Sequence, residues 1–240
     1  MLFFYVLING VTWEIASKLI KNTAQYKSTL NRRFNMWVKD GIFSDVYNNI
    51  LDNYKKNANI YELYIDSTDI MNVNCASKFT YKSNKLHKQA FRLSIIADNN
   101  KIPINRSLNK AYNHDSSLGL DLMITTNINK SEKIYVAGDK GYIMDDQIRT
   151  SLLKSKGFHL ITPKKKYVRK RNSKSNIKRI RHSKQIKNVL NNRIFIEHVN
   201  NVVHRSYKKL SKIFDKSTET FNAFIDLAFS IITLQKLTLY

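Results

Sequence analysis

Apolar positions recur along this chain with two different periods, and the changeover falls near residue 58. Up to about residue 57 the spacing is helical. Trp13, Phe34 and Trp37 are large apolar anchors, and Gly41 is placed to close one helix while Ser44 caps the next. In that next helix Val46, Ile50 and Tyr54 recur at helical spacing, before the polar connector KKNAN at Lys55–Asn59. Strand-like runs follow. Tyr61–Ile65 closes on Asp66, and Phe91–Ala97 and Ile102–Leu108 flank Asp98-Asn99-Asn100-Lys101. That flanked segment predicts a hairpin, because Asp and Asn tolerate positive φ in turns. Asp115, followed by two serines, is a natural N-cap for a helix over Ser116–Ile124. Ile134–Ala137 is a further strand candidate leading into Asp139. Residues 145–156 read as a helix with Asp145 and Asp146 at its N-terminus, where the helix dipole favours negative charge. Gly157 closes that helix, and Phe158–Thr162 forms a last strand stopped by Pro163. From about Arg193 the pattern is helical to near the end. The order predicts an α/β fold with a mixed sheet flanked by helices. It divides the chain into a helical region, 1–57, and an α/β domain, 58–240, with a basic insertion at 164–188.

Composition sharpens this picture mainly through charge. The 240 residues carry 41 Lys and Arg against 18 Asp and Glu, a formal net charge of +23. Such an excess points to a polyanionic partner. Richness in Asn, Ile and Lys reflects in part an AT-rich coding bias, but that bias does not explain the scarcity of acids, which are absent from Gln147 to Ile196. The single cysteine, Cys75, excludes a disulfide framework and a cysteine-rich zinc site. The opening MLFFYVLI is too short to span a bilayer and lacks the basic leader and cleavage site of a secretion signal. Phe221–Leu239 is similarly apolar but interrupted by Asn222, Asp226, Gln235 and Lys236, so it reads as a buried helix. The expectation is a soluble, intracellular protein associated with nucleic acid.

Three acids stand in recognisable settings: Asp66 in YIDST, Asp139 in AGDKGY and Glu197 in RIFIEHV. Two aspartates at strand ends and a glutamate on a helix suit a pair of divalent metals, Mg²⁺ or Mn²⁺, which prefer carboxylate oxygens. Two such ions activate one oxygen and stabilise the other in phosphodiester displacement. At about 100° per residue, Ile196, Val199, Val203, Tyr207 and Leu210 form one apolar stripe. Arg193, Glu197, Asn200, His204 and Lys208 form a polar stripe roughly 110° away. Glu197 therefore lies beside the core-facing seam, with Arg193 one turn earlier, placed to contact a phosphate or steady the glutamate.

Other acids and cations have competing readings. Asp69 could be an extra ligand, but a solvated turn residue is the simpler role. His114 and Asp115 could mimic a metal pair, with capping by Asp115 favoured. Lys140 could touch DNA or remain solvated. Twelve Lys or Arg lie between Lys164 and Lys187, in KKKYVRKR and KRIRHSK. Among them Lys164, Lys165, Lys166, Arg169, Lys170, Arg171, Lys178, Arg179 and Arg181 are candidate phosphate contacts. Phosphate contacts position DNA without specifying sequence, so sequence choice would fall to the N-terminal helices around Arg32, Arg33 and Trp37. No glycine-rich phosphate cradle is present, which argues against nucleotide triphosphate use.

Together these segments resemble a DDE transposase of the bacterial insertion-sequence type, with a ribonuclease H-like catalytic domain. TLNRRFNMWVKDGIFSDVYNNIL resembles the family's helical DNA-binding region. YIDST, AGDKGY and Arg193-x-x-x-Glu197 resemble its three acidic motifs, and YNHDSS and FNAFIDLAF also fit. The resemblance implies that Asp66, Asp139 and Glu197 hold two metal ions, with Arg193 as the accompanying basic residue. It implies a double-stranded DNA substrate, strand cleavage followed by strand transfer, and a dimer or larger assembly when two DNA ends are brought together. Three features depart from the pattern. The family usually has more chain before the first tryptophan. The basic residue expected seven positions after the glutamate is His204, with Arg205 next, both candidate DNA contacts, and the glycine expected in the hairpin turn is Asn99 or Asn100. A shortened or decayed copy that only binds DNA, a plain metal-dependent nuclease and a non-catalytic basic nucleic-acid-binding protein are the alternatives.

Overall fold

The computed structural model describes residues 2–21, 26–73, 81–83, 85–128, 133–163, 183–215 and 217–238. Cys75 and the basic segment from Lys164 to Arg181 lie outside these. Four helices open the chain: α1 (Leu2–Asn9), α2 (Trp13–Lys21), α3 (Tyr26–Lys39) and α4 (Ile42–Asn57). Gly41 takes the left-handed conformation between α3 and α4, φ 72°, as a residue without Cβ does at little cost. Ser44 is not a cap. It sits inside the first turn of α4, and its hydroxyl donates to the Gly41 carbonyl at 2.7 Å.

The buried face of α4 is also offset from the Val46–Ile50 stripe expected from spacing. It consists of Phe43, Tyr47, Leu51 and Tyr54, while Val46 is exposed. Two tyrosines turn this face inward because their hydroxyls find partners there. Tyr47 donates to the Pro103 carbonyl at 2.8 Å, and Tyr54 donates to the buried Asp98 carboxylate at 2.5 Å. Satisfied in this way, a phenol adds its ring to the core without leaving a polar atom stranded.

The sheet contains β1 (Glu62–Met71), β2 (Tyr81–Lys82), β3 (Gln89–Asp98), β4 (Pro103–Lys110), β5 (Ile134–Ala137) and β6 (Phe158–Ile161). Its order is β4–β3–β1–β5–β6, with the two-residue β2 beside the start of β3. β4, β3 and β1 are antiparallel neighbours, whereas β5 and β6 run parallel to β1. This is the mixed α/β sheet expected. The hairpin falls at Asp98–Lys101 as expected, although the residue with positive φ is Lys101, at 65°. The Asp98 carboxylate instead accepts the backbone N–H groups of Asn100 and Ile102, at 2.8 and 2.9 Å.

β1 does not stop at Asp66. It continues for five residues because its next polar side chains meet partners directly across β3. Ser67 faces Ser94 with hydroxyls 2.8 Å apart, and Asp69 faces Arg92 with an ion pair at 2.8 Å. Asp69 is therefore a buried strand residue rather than a solvated turn.

α5 (Asp115–Thr125) and α6 (Asp146–Lys156) supply the connections, the latter opening at Asp145 and closing on left-handed Gly157, φ 70°. Asp115 is the first residue of α5, not its cap, and its carboxylate is drawn to Arg92 at 3.1 Å. α7 (Lys184–Asn191), α8 (Ile194–Ser206) and α9 (Thr218–Leu237) complete the chain. The expected continuous helix is broken between α8 and α9. There Ile213 pairs with the end of β1, its N–H donating to the Met71 carbonyl at 2.9 Å, and Ser217 then caps α9. Among the described residues no helix is long and apolar enough to cross a membrane.

The N-terminal helices and α9 share one hydrophobic core with the sheet. Phe34 stacks on Phe224 of α9 with centroids 4.5 Å apart and planes inclined by 21°, and Trp13 and Phe43 pack around Phe34. Phe224→Ala is expected to destabilise the protein by about 3–5 kcal/mol, read as a shifted urea midpoint. The same truncation at exposed Val46 should change stability by less than about 0.5 kcal/mol.

Candidate active site

Parallel pairing of β1 and β5 points two of the three acidic segments the same way. In β1 and β5, Leu63 pairs with Val136 and Tyr64 with Ala137, where the ladder ends. Two residues further along each chain stand Asp66, still in β1, and Asp139, in the loop after β5, near enough for their charges to repel. Strand alternation sends Asp66 to the face covered by α8, whereas Ser67 and Asp69 point to the face covered by α5.

The loop carrying Asp139 is shaped by its own sequence, AGDKGY. The Asp139 side chain caps a single 3₁₀ turn, Lys140–Tyr142, by accepting the Gly141 N–H at 2.7 Å. A Cβ at Gly141 would come within 2.9 Å of Asp139 Oδ1 and 3.0 Å of Asp115 Oδ2. A Cβ at Gly138 would sit 2.9 Å from that of Tyr142, whose side chain folds back under the loop. The Tyr142 hydroxyl then reaches Ser67, the residue after Asp66, at 2.6 Å. One buried ring thus ties the second acidic motif to the first. Lys140 is exposed.

α8 lies over Asp66 through the apolar stripe read from the sequence. Ile196, Val199 and Val203 on the helix are buried, as are Tyr207 and Leu210 just beyond its end. On its polar side Asn200 donates to Asp66 Oδ2 at 3.0 Å. Glu197, one turn earlier, is half-exposed and pairs with Arg193 at 3.3 Å. Arg193 is also close enough to Asp66 to favour its charged form. The structure therefore brings Asp66 and Asp139 together, whereas Glu197 pairs with Arg193, and the α8 residue that touches Asp66 is Asn200. Among the described residues no three His, Cys, Asp or Glu side chains come together as a group that could hold a metal ion.

The donor set nevertheless suits Mg²⁺ or Mn²⁺: hard carboxylate oxygens, with a side-chain amide alongside. Burial raises the Asp66 carboxyl above the ordinary carboxylate range, and the neighbouring Asp139 charge pushes the same way. The Ser67 N–H, Arg193 and Lys85 oppose it. A cation between two such carboxylates would offset both the desolvation and the repulsion.

The remaining candidates are distributed unevenly. Arg32 and Arg33 are exposed on α3, and Arg205 is exposed on the last turn of α8. His204 does not face solvent. Its Nε2 is buried without a hydrogen-bond partner, and burial holds the imidazole below its ordinary value. The basic residues Lys164, Lys165, Lys166, Arg169, Lys170, Arg171, Lys178, Arg179 and Arg181 lie outside the described residues. The sequence pattern does not single out Asn200 or Tyr142 as site residues. Asn200 is reachable, since it lies three residues after Glu197 on one helix face. Tyr142 carries no local signal of its role.

Asp66→Asn should stabilise the metal-free protein. Because the folded Asp66 carboxyl is raised, its ionised form is penalised only in the fold, and stability falls as pH rises through the folded value. The melting temperature of Asp66→Asn in EDTA is expected to exceed that of wild type above this range. The two should converge below the unfolded carboxylate value. Scanning calorimetry from pH 3 to pH 8 reads the difference directly, and a constant offset at every pH would contradict the burial argument.

A family model described as the transposase DDE domain matches residues 58–232. No curated protein and no solved structure matches the chain.

Proposed function

The chain belongs to the DDE transposase family, and we propose that it cuts and rejoins DNA through Asp66, Asp139 and Glu197. The observation that carries this reading is the approach of Asp66, a desolvated carboxylate on β1, to Asp139 in the loop after the parallel strand β5, with α8, which bears Glu197, packed over Asp66. When bound, Mg²⁺ or Mn²⁺ ions held by these residues would activate the attacking oxygen and stabilise the leaving one.

In the first reaction water attacks a phosphorus atom, the bond to O3′ breaks, and the departing O3′ takes up a proton. In the second, the freed 3′-hydroxyl attacks a target phosphodiester. It loses its proton and displaces the target O3′, so one phosphodiester replaces another. No triphosphate is consumed, in keeping with the lack of a glycine-rich phosphate cradle.

The chain's own groups do the positioning. Asn200 orients Asp66 through one carboxylate oxygen. The Gly141 N–H fixes Asp139 Oδ1. Arg193 supplies positive charge to Glu197 and, with DNA present, to the scissile phosphate. Arg32, Arg33, Arg205 and the basic residues of 164–188 would hold the duplex around this centre. Pairing two DNA ends would call for a dimer or larger assembly.

Purified protein with supercoiled plasmid is expected to produce nicked product in Mg²⁺ or Mn²⁺ and none in EDTA. Asp66→Asn, Asp139→Asn and Glu197→Gln should each lower that rate by at least about a thousandfold while leaving duplex affinity within a few-fold. Full nicking by Asp66→Asn would refute the site assignment, and nicking without any joined product would indicate a nuclease. Duplex binding should also weaken steeply with salt. Six phosphate contacts at roughly −0.9 each give a slope of about −5 in log K against log salt, and a slope near zero would remove the basic residues from DNA binding.

A further inference from the structure

A short basic turn is anchored to β1 three residues beyond Asp66. It joins β2 to β3 and carries Lys85, Leu86, His87 and Lys88, all exposed. Among its described residues, Ser83 and Lys85–Lys88, the backbone is closely specified. The Ser83 N–H donates to the Lys88 carbonyl and the His87 N–H to the Ser83 carbonyl, both at 2.8 Å. The N–H groups of Lys85 and Leu86 both donate to the Ser83 hydroxyl, at 3.1 Å each. His87 adopts φ 52°, a conformation that L-residues rarely hold unless their surroundings require it.

The same Ser83 hydroxyl donates to Asp69 Oδ2, so the turn bends back onto β1 three residues beyond Asp66. Asp69 is itself held by Arg92, at 2.8 Å through Nε and 3.4 Å through a terminal nitrogen. Arg92 is held in turn by the Asn113 carbonyl at 2.8 Å and the Asp115 carboxylate at 3.1 Å. The Asp69 and Arg92 side chains are 3% and 11% exposed. A buried ion pair of this kind adds little stability over an apolar pair of the same volume, but it fixes direction. Here it fixes the turn relative to the strand that carries Asp66. The ammonium groups of Lys85 and Lys88 form no ion pair among the described residues, and Lys85 lies within electrostatic reach of Asp66.

We infer that the Ser83–Lys88 turn is a DNA-backbone clamp in which Lys85 and Lys88 hold phosphates flanking the scissile one, with Asp69, Arg92 and Asp115 as its anchor. The inference rests on the proposed DNA-cutting reading of the carboxylate site. It accounts for exposed lysines on a turn whose backbone is tied to the strand of Asp66, one of them within electrostatic reach of that acid: the DNA backbone is the ligand that needs positive charge around such a centre.

The test uses the full chain with Lys85→Ala and Lys88→Ala combined, beside a control pair, Lys18→Ala with Lys154→Ala, exposed lysines on α2 and α6. Duplex affinity is measured across a salt series, and Mg²⁺-dependent nicking across a DNA series. Loss of two phosphate contacts should make the salt slope shallower by about 1.8 and weaken binding by about tenfold or more near 0.1 M salt. The KM for nicking should rise correspondingly. The control pair should leave the slope at the wild-type value. If wild type nicks DNA but the two pairs show equal slopes, the clamp is overturned and the catalytic reading stands. If wild type fails to nick yet only the Lys85 and Lys88 pair flattens the slope, the clamp stands and the catalytic reading falls.

Discussion

Two carboxylates, Asp66 on β1 and Asp139 in the loop after its parallel neighbour β5, lie close enough to repel each other, and the parts around them are an arrangement for tolerating that repulsion. Pairing of β1 with β5 ends at Tyr64 and Ala137, and the capped loop beyond it carries Asp139 on toward Asp66. The parts around them then divide the work. Backbone N–H groups from Ser67 and Gly141 and the Asn200 amide supply donors, and Arg193 and Lys85 supply positive charge. Tyr142 locks the two acidic segments together from the opposite face. A site of this kind stores unfavourable electrostatics in the free protein, which a cation held by the carboxylates would relieve.

The distribution of charge follows the same logic over the whole molecule. Several of the few acids are turned inward: Asp69 and Asp115 toward Arg92, Asp98 toward Tyr54, and Asp226 toward Arg106. They serve the fold and contribute little to the outer surface. The face presented to a polyanion is thus more positive than the composition alone conveys, and a field of that sign raises both the rate and the strength of encounter with DNA.

Much of this arrangement is legible in the amino-acid sequence. The strings YIDST and AGDKGY carry the aspartates, and the spacing of Ile196, Val199 and Val203 orients α8. What escapes is long-range pairing. Asp69 reads as solvated because its partner Arg92 lies 23 residues away, and β1 reads as ending at Asp66 because Ser94, the partner of Ser67, lies 27 residues away. Local periodicity cannot anticipate a polar residue satisfied across a sheet. The same limit replaces Val46 and Ile50 by Tyr47 and Leu51 on the buried face of α4, where Tyr54 lies as expected, since Tyr47 becomes a core residue only when Pro103 arrives to accept its hydroxyl. Asn200 shows a different limit. Helix arithmetic places Glu197 and Asn200 on one face, and only the docking of α8 on β1 determines which of them meets Asp66.

The shared aromatic cluster of the first helices and α9 has a consequence for how the protein is made. Phe34 and Asn35 wait for Phe224 and Thr220, and Asn35 and Thr220 are separated by 185 positions in the chain. A nascent polypeptide emerging from the ribosome cannot cover the surface of α3 until α9 is synthesised, and closing so long a loop is slow. Throughout elongation an oily patch on the early helices remains uncovered, a hazard that grows with translation time and invites chaperone capture. A message broken before the codons of α9 would therefore yield a sticky, unfinished product rather than a smaller working one, which couples activity to translation through that helix.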